Sequence, residues 1–103
     1  MIVQGTTPYL MLRIQGYDLS KAAVVLVTIF NGRQEYNFQG DRVSVTADGN
    51  DTLLMVHLTQ EDTLALTPKA GRLQVRWRDG QNEAYATEIV SVDIGNVLHK
   101  GVI

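Results

Sequence analysis

Arg72-Leu-Gln-Val-Arg-Trp-Arg-Asp-Gly80 followed by Gln81-Asn-Glu-Ala-Tyr-Ala-Thr-Glu-Ile-Val-Ser-Val-Asp-Ile94 decides the fold class. Leu73, Val75 and Trp77 alternate with Arg72, Gln74, Arg76 and Arg78. A two-residue period sends successive side chains to opposite faces of a pleated strand, so the apolar set lines a core and the guanidinium groups leave it. Asp79-Gly80 supplies a turn, and the segment after it returns as the second arm of a β-hairpin. In that arm Ala84 and Ala86 are expected inward, continuing as Val90, Val92 and Ile94. The charged Glu88 interrupts the pattern, which predicts a bulge around residues 87–89.

The same alternation recurs upstream. Residues 7–14 form a strand with Leu10, Leu12 and Ile14 on one face and Tyr9, Met11 and Arg13 on the other. Pro8 at its start, lacking an N–H, suits an outer strand. Gly16 to Ser20 is a loop in which Asp18 and Ser20 can bond nearby backbone. The β-branched run within Ala23 to Phe30 predicts the most buried strand. Asn31-Gly32 predicts a type I′ turn, with residues 33–39 returning antiparallel and Tyr36 and Phe38 sharing a face. Gly40-Asp41 turns the chain into a short strand with Val43, Val45 and Ala47 inward. Asp48-Gly-Asn-Asp51 reverses it, and the strand from Leu53 to Leu58 follows with Leu54, Val56 and Leu58 inward and His57 outward. Thr59-Gln-Glu-Asp62 has the spacing of a helix cap, so one helical turn is expected near residues 60–66, barred from extension by Pro68 and Gly71.

About seven short strands separated by turn signals predict an all-β chain, an immunoglobulin-like antiparallel β-sandwich occupying residues 1–103 as one domain. At this length, folding buries roughly 60–70% of the unfolded surface, enough for one core. With 45% hydrophobic and 19% charged residues the composition is that of a globular protein. Nine Lys and Arg against eleven Asp and Glu give a net charge of −2, so no global cationic field draws nucleic acid. With no cysteine, disulfides, thiolate metal sites and a cysteine nucleophile are excluded. The apolar run Ala22 to Val27 is far shorter than the roughly 20 residues a spanning helix needs, so no membrane insertion is expected. The amino terminus lacks a signal-peptide pattern, and synthesis is expected in the cytoplasm.

Candidate chemistry is sparse. His57 and His99 lie far apart, without the third ligand a zinc site requires. Glu61 and Asp62 are explained by capping, since helical neighbours diverge by about 100°. Ser20, Ser44 and Ser91 have no nucleophile-elbow context, and the glycines occur singly at turns rather than in a phosphate cradle. No catalytic residue, cofactor or metal is therefore expected. The candidate partner-binding residues are the stripe Arg72, Arg76 and Arg78 and the apolar terminal positions Val97, Leu98, Val102 and Ile103. The stripe is compatible with a solvated outer face, with carboxylates on a protein partner or with phosphates, in that order. A carbohydrate-binding or host-surface adhesion module is the alternative, which requires at least two of Tyr9, Tyr17, Tyr36 and Tyr85 exposed and coplanar.

Val3-Gln-Gly-Thr-Thr-Pro8, Val56-His-Leu-Thr-Gln-Glu-Asp-Thr-Leu64, Gly71-Arg-Leu-Gln-Val-Arg76, Val92-Asp-Ile-Gly-Asn-Val-Leu98 and Gly101-Val-Ile103 occur in an order that resembles small proteins encoded in prophages of Gram-positive gut bacteria. More distantly the chain resembles the amino-terminal β-sandwich domain of phage baseplate upper proteins. The resemblance spans nearly the whole chain, and its most specific piece, Leu58-Thr-Gln-Glu-Asp-Thr-Leu64, is structural. It implies a non-enzymatic structural or interaction module of a phage tail or baseplate. The implied partners are other phage structural proteins or further copies of the chain in a homo-oligomer, and the implied final location is the virion.

Overall fold

The computed structural model describes all of residues 1–103. The strands are β1 (Ile2–Val3), β2 (Tyr9–Ile14), β3 (Val24–Asn31), β4 (Gln34–Phe38), β5 (Ser44–Asp48), β6 (Asp51–His57), β7 (Gly71–Arg78), β8 (Ala84–Ala86), β9 (Val90–Val92) and β10 (Ile94–Gly95). A 3-10 turn at Gly40–Arg42 precedes β5, and the one α-helix, α1, spans Gln60–Ala65. The chain is thus all-β with one short helix. Its strands form a three-stranded antiparallel sheet, β2-β6-β5, and a five-stranded antiparallel sheet in which β4-β3-β7 continues to β8 and β9, both paired to β7. A parallel pair, β1-β10, brings the two ends of the chain together.

One apolar cluster joins the two antiparallel sheets. Val27, Ile29, Phe38, Leu73, Val75 and Trp77 from the larger sheet share it with Ile14, Leu54 and Val56 from the smaller. The alternation in β7 holds along its length, with Leu73, Val75 and Trp77 buried and Arg72, Arg76 and Arg78 exposed. Burying each of the large apolar side chains contributes roughly 1.5–3 kcal/mol. In β2 and β6 the expected inward sets are those found, and Leu54, Val56 and Leu58 are almost wholly buried. β2 lies at the outer edge of its sheet, the place anticipated from Pro8.

The bulge is present. Register passes from Arg76 opposite Ala86 to Leu73 opposite Val90, so four residue steps on the returning arm oppose three on β7. The Thr87 hydroxyl accepts from the Val75 N–H at 3.1 Å, while the Thr87 N–H donates to the Val75 carbonyl at 2.9 Å, which repairs the ladder where it is broken. α1 carries a complete capping box, with the Thr59 hydroxyl accepting from the Asp62 N–H and the Asp62 carboxylate accepting from the Thr59 N–H.

Three expectations are corrected. The first hairpin turns at Gly32-Arg33, both at positive φ (59° and 72°), and Asn31 ends β3 opposite Gln34. Asn31 is needed elsewhere: it is buried, its amide donates to the carbonyls of Thr67 and Lys69, and its Oδ1 accepts from the Thr67 N–H. Ala84 and Ala86 face outward beside Arg78 and Arg76, because the inward partner of Trp77 across the hairpin is Tyr85. Val45 and Ala47 do face inward, opposite the buried Leu54 and Thr52, but β5 is an edge strand and leaves both exposed, so only Val43 reaches the core. β7, with four buried positions, exceeds β3, with three, because β3 alternates instead of burying both faces. The pair β1-β10 had no counterpart in the sequence reading. Backbone bonds hold it, from the Ile2 N–H to the Asp93 carbonyl at 2.8 Å and from the Gln4 N–H to the Gly95 carbonyl at 3.0 Å. The buried Gln4 side chain ties the segment further, its amide donating to the Leu66 carbonyl at 2.5 Å and its Oε1 accepting from Lys100 Nζ at 2.8 Å.

Asn31→Ala is expected to lower unfolding free energy by about 2–4 kcal/mol, because it strands the Thr67 N–H and two carbonyls without partners. A urea titration checks this. A loss below about 0.5 kcal/mol, the range of an ordinary surface change, contradicts the clasp.

Candidate functional site

The outer face of the five-stranded sheet collects the arginine stripe. Arg72, Gln74, Arg76 and Arg78 on β7 lie opposite Phe30, Thr28, Leu26 and Val24 on β3, so a cationic column runs beside a largely apolar one. Phe30 and Val24 are exposed and Leu26 is half-buried. Arg72 lies over the Phe30 ring, 5.1 Å from its centroid. Ile89, 57% exposed beside the bulge, widens the apolar column at the Arg72 end. None of Arg72, Arg76 and Arg78 makes an ion pair. Arg13, by contrast, is bonded to Asp48 and Asp51, and Arg42 to Asp62. Three carboxylates, those of Asp48, Asp51 and Asp62, pair with arginines outside this column, and none pairs within it.

The terminal candidates lie apart from the stripe. Ile103 pairs through its backbone with the side-chain amide of Gln60 on α1, donating to Oε1 at 2.8 Å and accepting from Nε2 at 3.1 Å. Lys100 reaches both Gln4 and Asn96. The apolar side chains themselves point away: Leu98 and Ile103 are almost fully exposed, Val102 is exposed and Val97 half-buried. The tail is anchored by polar groups and presents its hydrophobic ones.

Sequence reasoning missed the largest concavity, a cleft of about 500 Å³ between β2 and the β8–β9 arm. Leu12 and Ile14 form one wall and Ala86 to Glu88 and Val90 the other, above Leu73, Val75 and Trp77. Tyr17 closes one end, with its ring edge-on to Trp77 at 5.3 Å, and Tyr85 stacks on Trp77 at 5.6 Å. Only knowledge of the sheet order could have found this cleft, since its walls come from the unpaired edges of two sheets. Two of its polar side chains are engaged: Arg13 by two aspartates, and the Thr87 hydroxyl by the Val75 N–H and the Glu88 carbonyl.

His57 stacks on Tyr9 with ring centroids 4.0 Å apart, and no three His, Asp or Glu side chains converge anywhere in the chain. Glu61 and Asp62 sit in the first turn of α1. Burial pushes the Asp62 carboxyl upward, but the Thr59 N–H and the Arg42 guanidinium, 2.5 Å away, outweigh it and hold the group below the usual carboxylate range. No protein-family model matches this chain, and no curated protein matches it in sequence.

Because the Asp62 carboxyl is depressed in the folded state, its contribution is present above its unfolded value of 3.8 and is lost as pH falls through the folded value. Asp62→Asn is expected to cost about 1 kcal/mol at pH 7, and the gap from wild type should close below about pH 3.8. Urea titrations at both pH values check this, and a gap that widens in acid contradicts it.

Proposed function

We propose that this protein is a non-enzymatic interaction module of a phage or prophage particle, a tail or baseplate component that acts by binding other proteins. In this reading the two antiparallel sheets close on each other as an immunoglobulin-like β-sandwich, consistent with the single apolar cluster they share. The observation that carries the binding role is the unmatched column of Arg72, Arg76 and Arg78 beside Val24, Leu26 and Phe30. Unpaired guanidinium groups next to exposed apolar side chains suit a protein surface that offers carboxylates and aliphatic groups together. Val97, Leu98, Val102 and Ile103 add a second apolar contact on the anchored tail. The net charge of −2 argues against nucleic acid as the partner. The resemblance of the segments around residues 58–64 and 71–76 to prophage-encoded proteins supports placing that partner within a particle.

A glycan platform is less well supported. Tyr17 and Tyr85 are both exposed, but their planes are 47° apart, and the ring that does lie flat against Tyr85 belongs to Trp77, which is 7% exposed.

The test is quantitative mass spectrometry of gradient-purified particles from a lysogen carrying a tagged copy of the gene. The chain is expected in fixed proportion to tail proteins, and the triple variant Arg72→Glu, Arg76→Glu, Arg78→Glu should be depleted about tenfold or more while staying folded. Absence of the wild-type chain from the particles overturns the proposal.

A further inference from the structure

We infer that β2 is a self-association edge: two copies of the chain join antiparallel through it about a two-fold axis at Met11, making one continuous sheet of their two smaller ones. β2 hydrogen-bonds to β6 on one side and to nothing on the other. Natural edge strands are guarded by charge, proline, bulges or short length, because an open row of N–H and C=O groups templates another strand. Here Pro8 lies before the strand and Arg13 near its end, already bonded to Asp48 and Asp51. Between them Leu10, Met11 and Leu12 are unguarded. Met11 is 67% and Tyr9 57% exposed on the outer face, while Leu10 and Leu12, which point inward, are only partly covered.

What selects a second copy over a foreign strand is the self-complementarity of Tyr9-Leu-Met-Leu-Arg13. Antiparallel pairing about Met11 sets Leu10 opposite Leu12 of the second copy and Tyr9 opposite its Arg13. That register keeps inward residues with inward ones. Each pair is favourable: leucine on leucine in the inner layer, methionine on methionine at the axis, and a guanidinium beside a tyrosine ring at each end. No like charges meet. The same pairing turns the cleft between β2 and β8–β9 of each copy toward that of the other, covering Leu12 and the inward-facing Val90, which is left 50% exposed in the single chain. The inference rests on this edge and does not depend on where the protein assembles.

Sedimentation velocity of the full chain across a concentration series tests it, with Met11→Lys and Met11→Glu as probes. Met11 is an exposed side chain, so neither change removes core packing. The wild type is expected to shift with concentration from 11.4 kDa toward twice that mass. Each variant alone places like charges face to face at the axis and should weaken association about tenfold or more, and an equimolar mixture of the two should restore it. A wild type that stays at 11.4 kDa throughout overturns the inference. So does a dimer that Met11→Lys leaves unchanged, or a mixture that fails to reassociate. A monomer found stoichiometrically in particles would remove this edge contact and leave the particle proposal standing.

Discussion

The apolar layer shared by β3, β7 and β6 is the constraint on which the remaining structure depends. Val27, Ile29, Leu54, Val56 and Val75 are all at most 2% exposed, and they come from three strands distributed over two sheets. Because the pleat alternates, placing Leu73, Val75 and Trp77 in that layer compels Arg72, Arg76 and Arg78 onto the opposite face. The core and the candidate binding surface are thus two consequences of one periodicity in β7. A one-residue slip would bury three guanidinium groups, at a cost far above the few kcal/mol that keep a domain folded.

Two buried amides hold what the apolar layer does not. Asn31 ties the end of β3 to the loop before β7, so the central pair of strands is closed at one end by side chain as well as by ladder. The turn beside it is equally constrained: a Cβ at Gly32 would lie 2.5 Å from Thr67 Oγ1, and its φ of +59° already favours glycine. Gln4 does the corresponding work for the chain ends, joining the β1 segment to the end of α1 and to Lys100. These bonds leave the apolar side chains of the tail free to meet another molecule.

Much of the fold was legible in the residues because alternation and capping are local. The seven strands expected are β2 to β7 and the β8–β9 arm, Glu88 marked the bulge, and Thr59 to Asp62 marked the cap. Two misreadings share a cause: a residue's local preference was outweighed by a distant partner. Asn31 reads as a turn former, but the loop at residues 67–69 recruits it into the interior. Alanine reads as inward, yet pairing across the hairpin gives that face to Tyr85. Two-residue strands joined in parallel, Ile2–Val3 with Ile94–Gly95, leave no periodic signal at all. The direction of the arginine column followed from period two. The apolar column beside it did not, because a β-branched run looks the same whether one face is buried or both.

These features describe a scaffold whose unsatisfied groups lie on its surfaces and edges, while its interior polar side chains are fully bonded. The measurement that bears most directly on this account is a methyl NOE spectrum of isotope-labelled protein. The account predicts contacts within the shared cluster that link Leu54 and Val56 of β6 to Val27, Ile29 and Val75 of the other sheet, with no such contacts from Val24. An absence of inter-sheet methyl contacts, or a Val24 that joins them in place of Val27, would contradict it.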